Sequence, residues 1–91
     1  MPSYMVERTL PGYSAEQVAG AAIGARETTD LMSREGTPVR YLRSTFIPGE
    51  DKCYCLFDGP SPEAIQTAND RAGLPVERIV EVVHVASEDL A

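Results

Sequence analysis

A handful of side chains in this 91-residue chain have types and spacings that could do chemistry. Glu7 stands in the middle of a segment of strand-forming residues. A carboxylate there is either paired with a cation, such as Arg43 or Arg8, or acts as a metal ligand or acid/base group in a cleft. Cys53 and Cys55 bracket Tyr54, so on an extended strand both thiols project from one face. Same-face neighbours on a strand lie roughly 6.5–7 Å apart, whereas an unstrained disulfide needs Cβ atoms about 3.8 Å apart. A soft metal could bridge the two thiols, and burial as small hydrophobes is the simpler reading. His84, the one histidine, could be a metal ligand, a general base or a hydrogen-bonding group at an interface. A transition-metal site built on it needs help from carboxylates or from a symmetry mate. Tyr41, Arg43 and Thr45 alternate with Leu42, Ser44 and Phe46. If the second set faces the core, Tyr41 and Arg43 line a ligand-facing surface beside Glu7, and Arg43 suits an anion.

No phosphate-cradling glycine loop, paired-histidine helix, four-cysteine zinc pattern or nucleophile elbow is present, which excludes most cofactor enzymes recognisable by local motif. Eight basic residues against fourteen acidic ones give a formal charge of -6. That balance disfavours nucleic acid, whose binding rests on Lys and Arg neutralising phosphates. It also disfavours anionic membrane surfaces. No apolar stretch is long enough to cross a bilayer, and Met1–Leu10 does not read as a signal peptide. The expectation is a soluble cytoplasmic protein with reduced cysteines.

The elements that must position these residues are well punctuated. Tyr4–Leu10 reads as a strand closed by Pro11-Gly12, with Tyr4, Val6, Arg8 and Leu10 on one face and Met5, Glu7 and Thr9 on the other. Ser14 and Gln17 form a capping box, flanked by the staple pair Tyr13 and Val18. Val18, Ala22, Ala25, Thr29 and Met32 then mark the inner stripe of a long helix that stops at Gly36 and Pro38. Gly20 and Gly24 on that helix suggest a close approach to a sheet. Val39–Ile47 and Cys53–Phe57 read as strands joined by the Pro48-Gly49-Glu50-Asp51 turn. Ser61 and Pro62 open a second helix with Ile65, Ala68 and Ala72 on its apolar edge, ended by Gly73. Ile79–Val85 is the fourth strand, and the acidic end 87–91 is a tail.

The order β-α-β-β-α-β is that of an α+β, ferredoxin-like domain over residues 1–86. It implies an antiparallel four-stranded sheet with both helices on one face and the first and third strands in the centre. The other face is bare in a monomer and carries apolar and aromatic side chains, so a homodimer of the dimeric α+β barrel type is expected.

With the strands laid out, Tyr4-Met5-Val6-Glu7-Arg8, Leu10-Pro11-Gly12 and Asp51-Lys52-Cys53-Tyr54-Cys55 gain a further meaning. So do Pro62-Glu63-Ala64-Ile65, Ala72-Gly73-Leu74-Pro75 and Arg78-Ile79-Val80-Glu81-Val82. Together they resemble the short bacterial proteins long grouped as DUF4242, some of them named nickel-binding or nickel-responsive. The resemblance covers nearly the whole chain. It implies a ferredoxin-like fold, a dimer and Ni²⁺ binding, with Glu7 and Cys55 matching the family pattern and His84 a further candidate ligand. The same pattern often carries histidines at the position of Arg43 and near Ala68, which this chain lacks. Imidazole is a favoured Ni²⁺ ligand, and arginine, always protonated, cannot replace it.

The reading that follows is a small metal-binding protein, a binder rather than an enzyme. The alternatives are a small-molecule-binding protein or cofactor-free enzyme using the open sheet face, and a non-catalytic interaction module.

Overall fold

The computed structural model describes residues 1–91. Four strands, β1 (Ser3–Thr9), β2 (Arg40–Ile47), β3 (Lys52–Asp58) and β4 (Arg78–Val82), form one antiparallel sheet in the order β2-β3-β1-β4. Helices α1 (Ala15–Arg34) and α2 (Pro62–Arg71) follow β1 and β3. The central pair, β1 and β3, alternates buried and half-buried residues along its whole length. That period of two is the signature of strands covered on one face only. Tyr4, Val6, Arg8 and Leu10 from β1 and its exit, with Cys53, Cys55 and Phe57 from β3, point under the helices.

The helix starts are as their sequences dictate. The Ser14 hydroxyl accepts from the Gln17 amide while the Gln17 side chain accepts from the Ser14 amide, completing the capping box. Ser61 caps α2 through the Ala64 amide, with Pro62 in the first turn. Val18, Ala25, Thr29 and Met32 are buried along α1, with Ala22 half-buried beside them. A methyl group added at Gly20 or Gly24 would meet nothing within 4 Å, so these glycines are not sites of close helix–sheet approach. The β2–β3 connection is a 3-10 turn, Pro48–Glu50, followed by Asp51 in the left-handed region at φ 56°.

Two departures from the sequence reading bear on function. In β2 the register slips between Tyr41 and Arg43: Tyr41 lies opposite Phe57 and Arg43 opposite Leu56, leaving Leu42 as an extra residue. This bulge turns Tyr41 under the helices, edge-on to Phe57 at 5.6 Å between ring centroids. The Tyr41 amide is satisfied by the Thr29 hydroxyl of α1 at 3.2 Å. Secondly, β4 ends at Val82 rather than Val85, because Val82 already pairs with Ser3, the first residue of β1. Val83 to Ala86 have no strand to continue on.

Gly59, buried where β3 turns toward α2, admits no side chain. A Cβ there would lie 2.7 Å from Ile65 Cδ1, and Ile65 is itself fully buried. Gly59→Ala is expected to destabilise the fold by roughly 1–3 kcal/mol through overpacking, read as a lower midpoint in urea unfolding with an unchanged slope.

Candidate functional site

The alternation of β1 and β3 sorts the reactive side chains onto two sides of the sheet. On the open side, Glu7 occupies the middle of β1, opposite Tyr54 of β3 and Arg78 of β4. Both of its carboxylate oxygens are engaged: Oε1 accepts from Arg78 Nε at 3.0 Å and Oε2 from Lys52 Nζ at 3.2 Å. Lys52 also donates to Thr9 Oγ1 at 3.0 Å and to Glu77 Oε2 at 2.9 Å, and Glu77 accepts from Thr9. Neither Arg43 nor Arg8 is the cation expected beside Glu7. Arg8 projects from the other face, and the ion-pair partners come from β3 and β4, whose registers hydrophobic patterning leaves open.

Arg43 is on the open face, as expected, but Tyr41 is not: the bulge removes it from the ligand-facing set. Arg43 makes no ion pair. It borders a groove of about 510 Å³ whose other walls include Leu42, Leu56, Val83, His84 and Val85. The segment after β4 therefore runs beside the open face. His84, exposed, belongs to that groove, while Glu7 does not.

Cys55 is on the opposite side, buried beneath the helices with Cys53. Their sulfurs are 3.7 Å apart, and Cys55 Sγ lies 3.0 Å from Ser44 Oγ, which is 2.8 Å from the Tyr41 hydroxyl. Burial first, then the neighbouring Cys55, pushes the Cys53 thiol far above its ordinary range. Arg8, opposite Cys53 in the β1–β3 register, is 1% exposed. Its guanidinium donates to Asn69 Oδ1 at 2.7 Å and to the Pro75 carbonyl at 2.8 Å, and it forms no ion pair. Asn69 is anchored in turn through the Ile65 carbonyl at 2.8 Å. Patterning for apolar residues passes over both Arg8 and Asn69. The available signal was the placement of Arg8 between Val6 and Leu10 on the inner face of β1.

Glu7, Cys55 and His84 are thus not brought together within one chain. No three His, Cys, Asp or Glu side chains stand close enough to hold a metal ion. Arg43 is exposed and Ala68 buried under the sheet, so these two positions lie on different sides. No helix is long and apolar enough to cross a membrane.

A four-stranded antiparallel sheet in this order, with two helices on one face and a bare opposite face, defines an α+β ferredoxin-like protein. The chain belongs to the family described as nickel responsive protein SCO4226-like, which matches residues 4–82. Its fold is similar to that in the crystal structure of SCO4226 from Streptomyces coelicolor A3(2), with a TM-score of 0.75 and 27% identity. That match covers 92% of this chain and 99% of the other. No curated protein matches the chain.

The open-face charges set a pH signature. The Thr9 hydroxyl, then Lys52, hold the Glu77 carboxyl below its ordinary 4.5. Glu77, then Glu7, hold Lys52 above its ordinary 10.5. A lowered carboxyl pKa contributes stability that is present above 4.5 and lost as pH falls through the folded value. The raised Lys52 pKa contributes stability present below 10.5 and lost as pH rises through the folded value. Thermal unfolding is expected to show both limbs, and Glu77→Gln should flatten the acid limb and weaken the alkaline one together.

Proposed function

We propose that the chain works in the cytoplasm as a homodimer that binds a divalent transition-metal ion, nickel in the first place, with ligands drawn from both copies. The observation that carries the dimer is the uncovered sheet face. Met5, Tyr54, Leu56, Val80 and Val82 remain only half-buried there, and Val83 and Val85 beside it are 86% and 69% exposed. A second copy of a chain this small is the economical cover for such a surface. The ion is suggested by the description of the family.

Of the expected ligands, this reading keeps Glu7 and His84, which lie toward the open side, and sets Cys55 apart on the other. Glu7 would exchange Arg78 or Lys52 for the ion, and a second chain would supply what one chain lacks. One observation favours a second reading: Arg43 is an unpaired cation beside His84 in an apolar-walled groove, which suits a small organic anion.

Calorimetric titration of tag-free, chelator-treated protein with Ni²⁺, using Mg²⁺ as a control, tests the metal reading. Saturable binding that Glu7→Ala and His84→Ala each abolish is expected. Sedimentation should give a dimer that Leu56→Asp dissociates, with nickel binding lost at the same time. Absence of saturable heat from an intact dimer would sink the metal reading and shift the weight to the anion groove, where a retained organic molecule is the thing to look for.

A further inference from the structure

The side of the sheet beneath the helices holds a second cluster that the open-face reading leaves unused. Cys53 and Cys55 place two sulfurs 3.7 Å apart at the wall of an interior gap of about 10 Å³, roughly the space of one water. Ala21, Ala22 and Ala25 of α1 roof this gap, and their small side chains leave it open. Arg8 lines it too, with the positive charge of a buried guanidinium that no carboxylate balances. Burying an unpaired charge is costly. Its two neutral hydrogen-bond acceptors, Asn69 and the Pro75 carbonyl, lessen that cost without removing the net charge.

Two polar groups at this cluster favour negative charge on sulfur, the Arg8 guanidinium and the Ser44 hydroxyl. If Cys55 is a thiolate, Ser44 must donate to it at 3.0 Å, and Tyr41 can then donate to Ser44 at 2.8 Å. Arg8 faces Cys53 across the β1–β3 ladder. What opposes ionisation is burial first and the neighbouring thiol second, which together keep a bare thiolate from forming. A cation that bonds directly to both sulfurs removes that obstacle.

We propose that Cys53 and Cys55, with Arg8 as the balancing charge, form a buried site for one soft monovalent metal ion of the Cu⁺ and Ag⁺ class. Two S–H bonds break and two metal–sulfur bonds form, releasing two protons with no change of oxidation state. The bis-thiolate complex carries one negative charge, which the Arg8 guanidinium neutralises. Thiolate ligands select Cu⁺ over harder ions. Zinc asks for four ligands, which this cluster does not provide. Taking the zinc–thiolate length of about 2.3 Å as a guide, a linear pair spans roughly 4.6 Å, so the sulfurs must spread by about 0.9 Å from their 3.7 Å spacing.

The test is anaerobic titration of reduced, full-length protein with Cu⁺ delivered from a coloured chelator complex, alongside native mass spectrometry. The site predicts transfer of one ion per chain. Calorimetry in two buffers of different ionisation enthalpy should show two protons released per ion by the wild-type protein, a readout that needs no variant to fold. Cys53→Ser and Cys55→Ser, checked for folding by circular dichroism, should each abolish transfer. Ser44→Ala should weaken binding about tenfold by removing a donor behind a ligand. Glu7→Ala and His84→Ala should leave Cu⁺ binding unchanged, so this site and the nickel reading fail independently. Absence of transfer, one ion shared by two chains, one proton or none released per ion, or full binding by folded Cys53→Ser would each overturn the proposal.

Discussion

A guanidinium enclosed at the centre of the helix-covered side, on a central strand, is the constraint on which the rest of this structure depends. Arg8 reaches past the sheet to the end of α2 and the link after it, bonding Asn69 Oδ1 and the Pro75 carbonyl. A buried cation without such partners would cost several kcal/mol, so β1, α2 and the segment leading to β4 are held in one arrangement. Because side chains alternate along a strand, placing Arg8 inside places Glu7 and Thr9 outside. The antiparallel ladder passes that decision to β3, sending Cys53 and Cys55 inward and Lys52 and Tyr54 outward.

The consequence is a separation of chemistries. Outside, carboxylates and cations form a solvated network in which Glu7, Lys52, Glu77 and Arg78 satisfy one another. Inside, two thiols, two hydroxyls and one guanidinium share a small apolar-walled space. In an acidic chain of net charge -6, four of the eight basic residues, Arg40, Arg43, Lys52 and Arg78, sit on the open face. That distribution keeps the uncovered side from repelling a second copy as strongly as the overall charge suggests.

Local chemistry was legible in the sequence wherever it acts locally. The capping box at Ser14, the Ser61-Pro62 helix start and the two faces of β1 follow from a few adjacent residues, and the structure has them all. What escaped depends on distant partners. The face of Tyr41 depends on a bulge whose extra residue, Leu42, is placed by pairing with β3 and by the Thr29 hydroxyl. The end of β4 depends on where β1 begins. The partners of Glu7 depend on the registers of β3 and β4. Asn69 escaped because helix patterning seeks apolar residues, while its burial is required by a guanidinium sixty-one residues earlier. The candidate site of Glu7, Cys55 and His84 came from a family resemblance and from residue type, neither of which fixes the side of the sheet. Strand parity puts the first two on opposite sides of the sheet.

The most direct test of this account is NMR of the Arg8 side chain in ¹⁵N-labelled protein. Enclosure with two fixed acceptors predicts separate, slowly exchanging guanidinium N–H resonances, with contacts from these protons to Asn69 and Pro75. A single averaged signal exchanging with water as fast as those of the exposed arginines would contradict it. Arg8 would then not hold the inner face, and the division of the sheet into an ionic side and a thiol side would lose its cause.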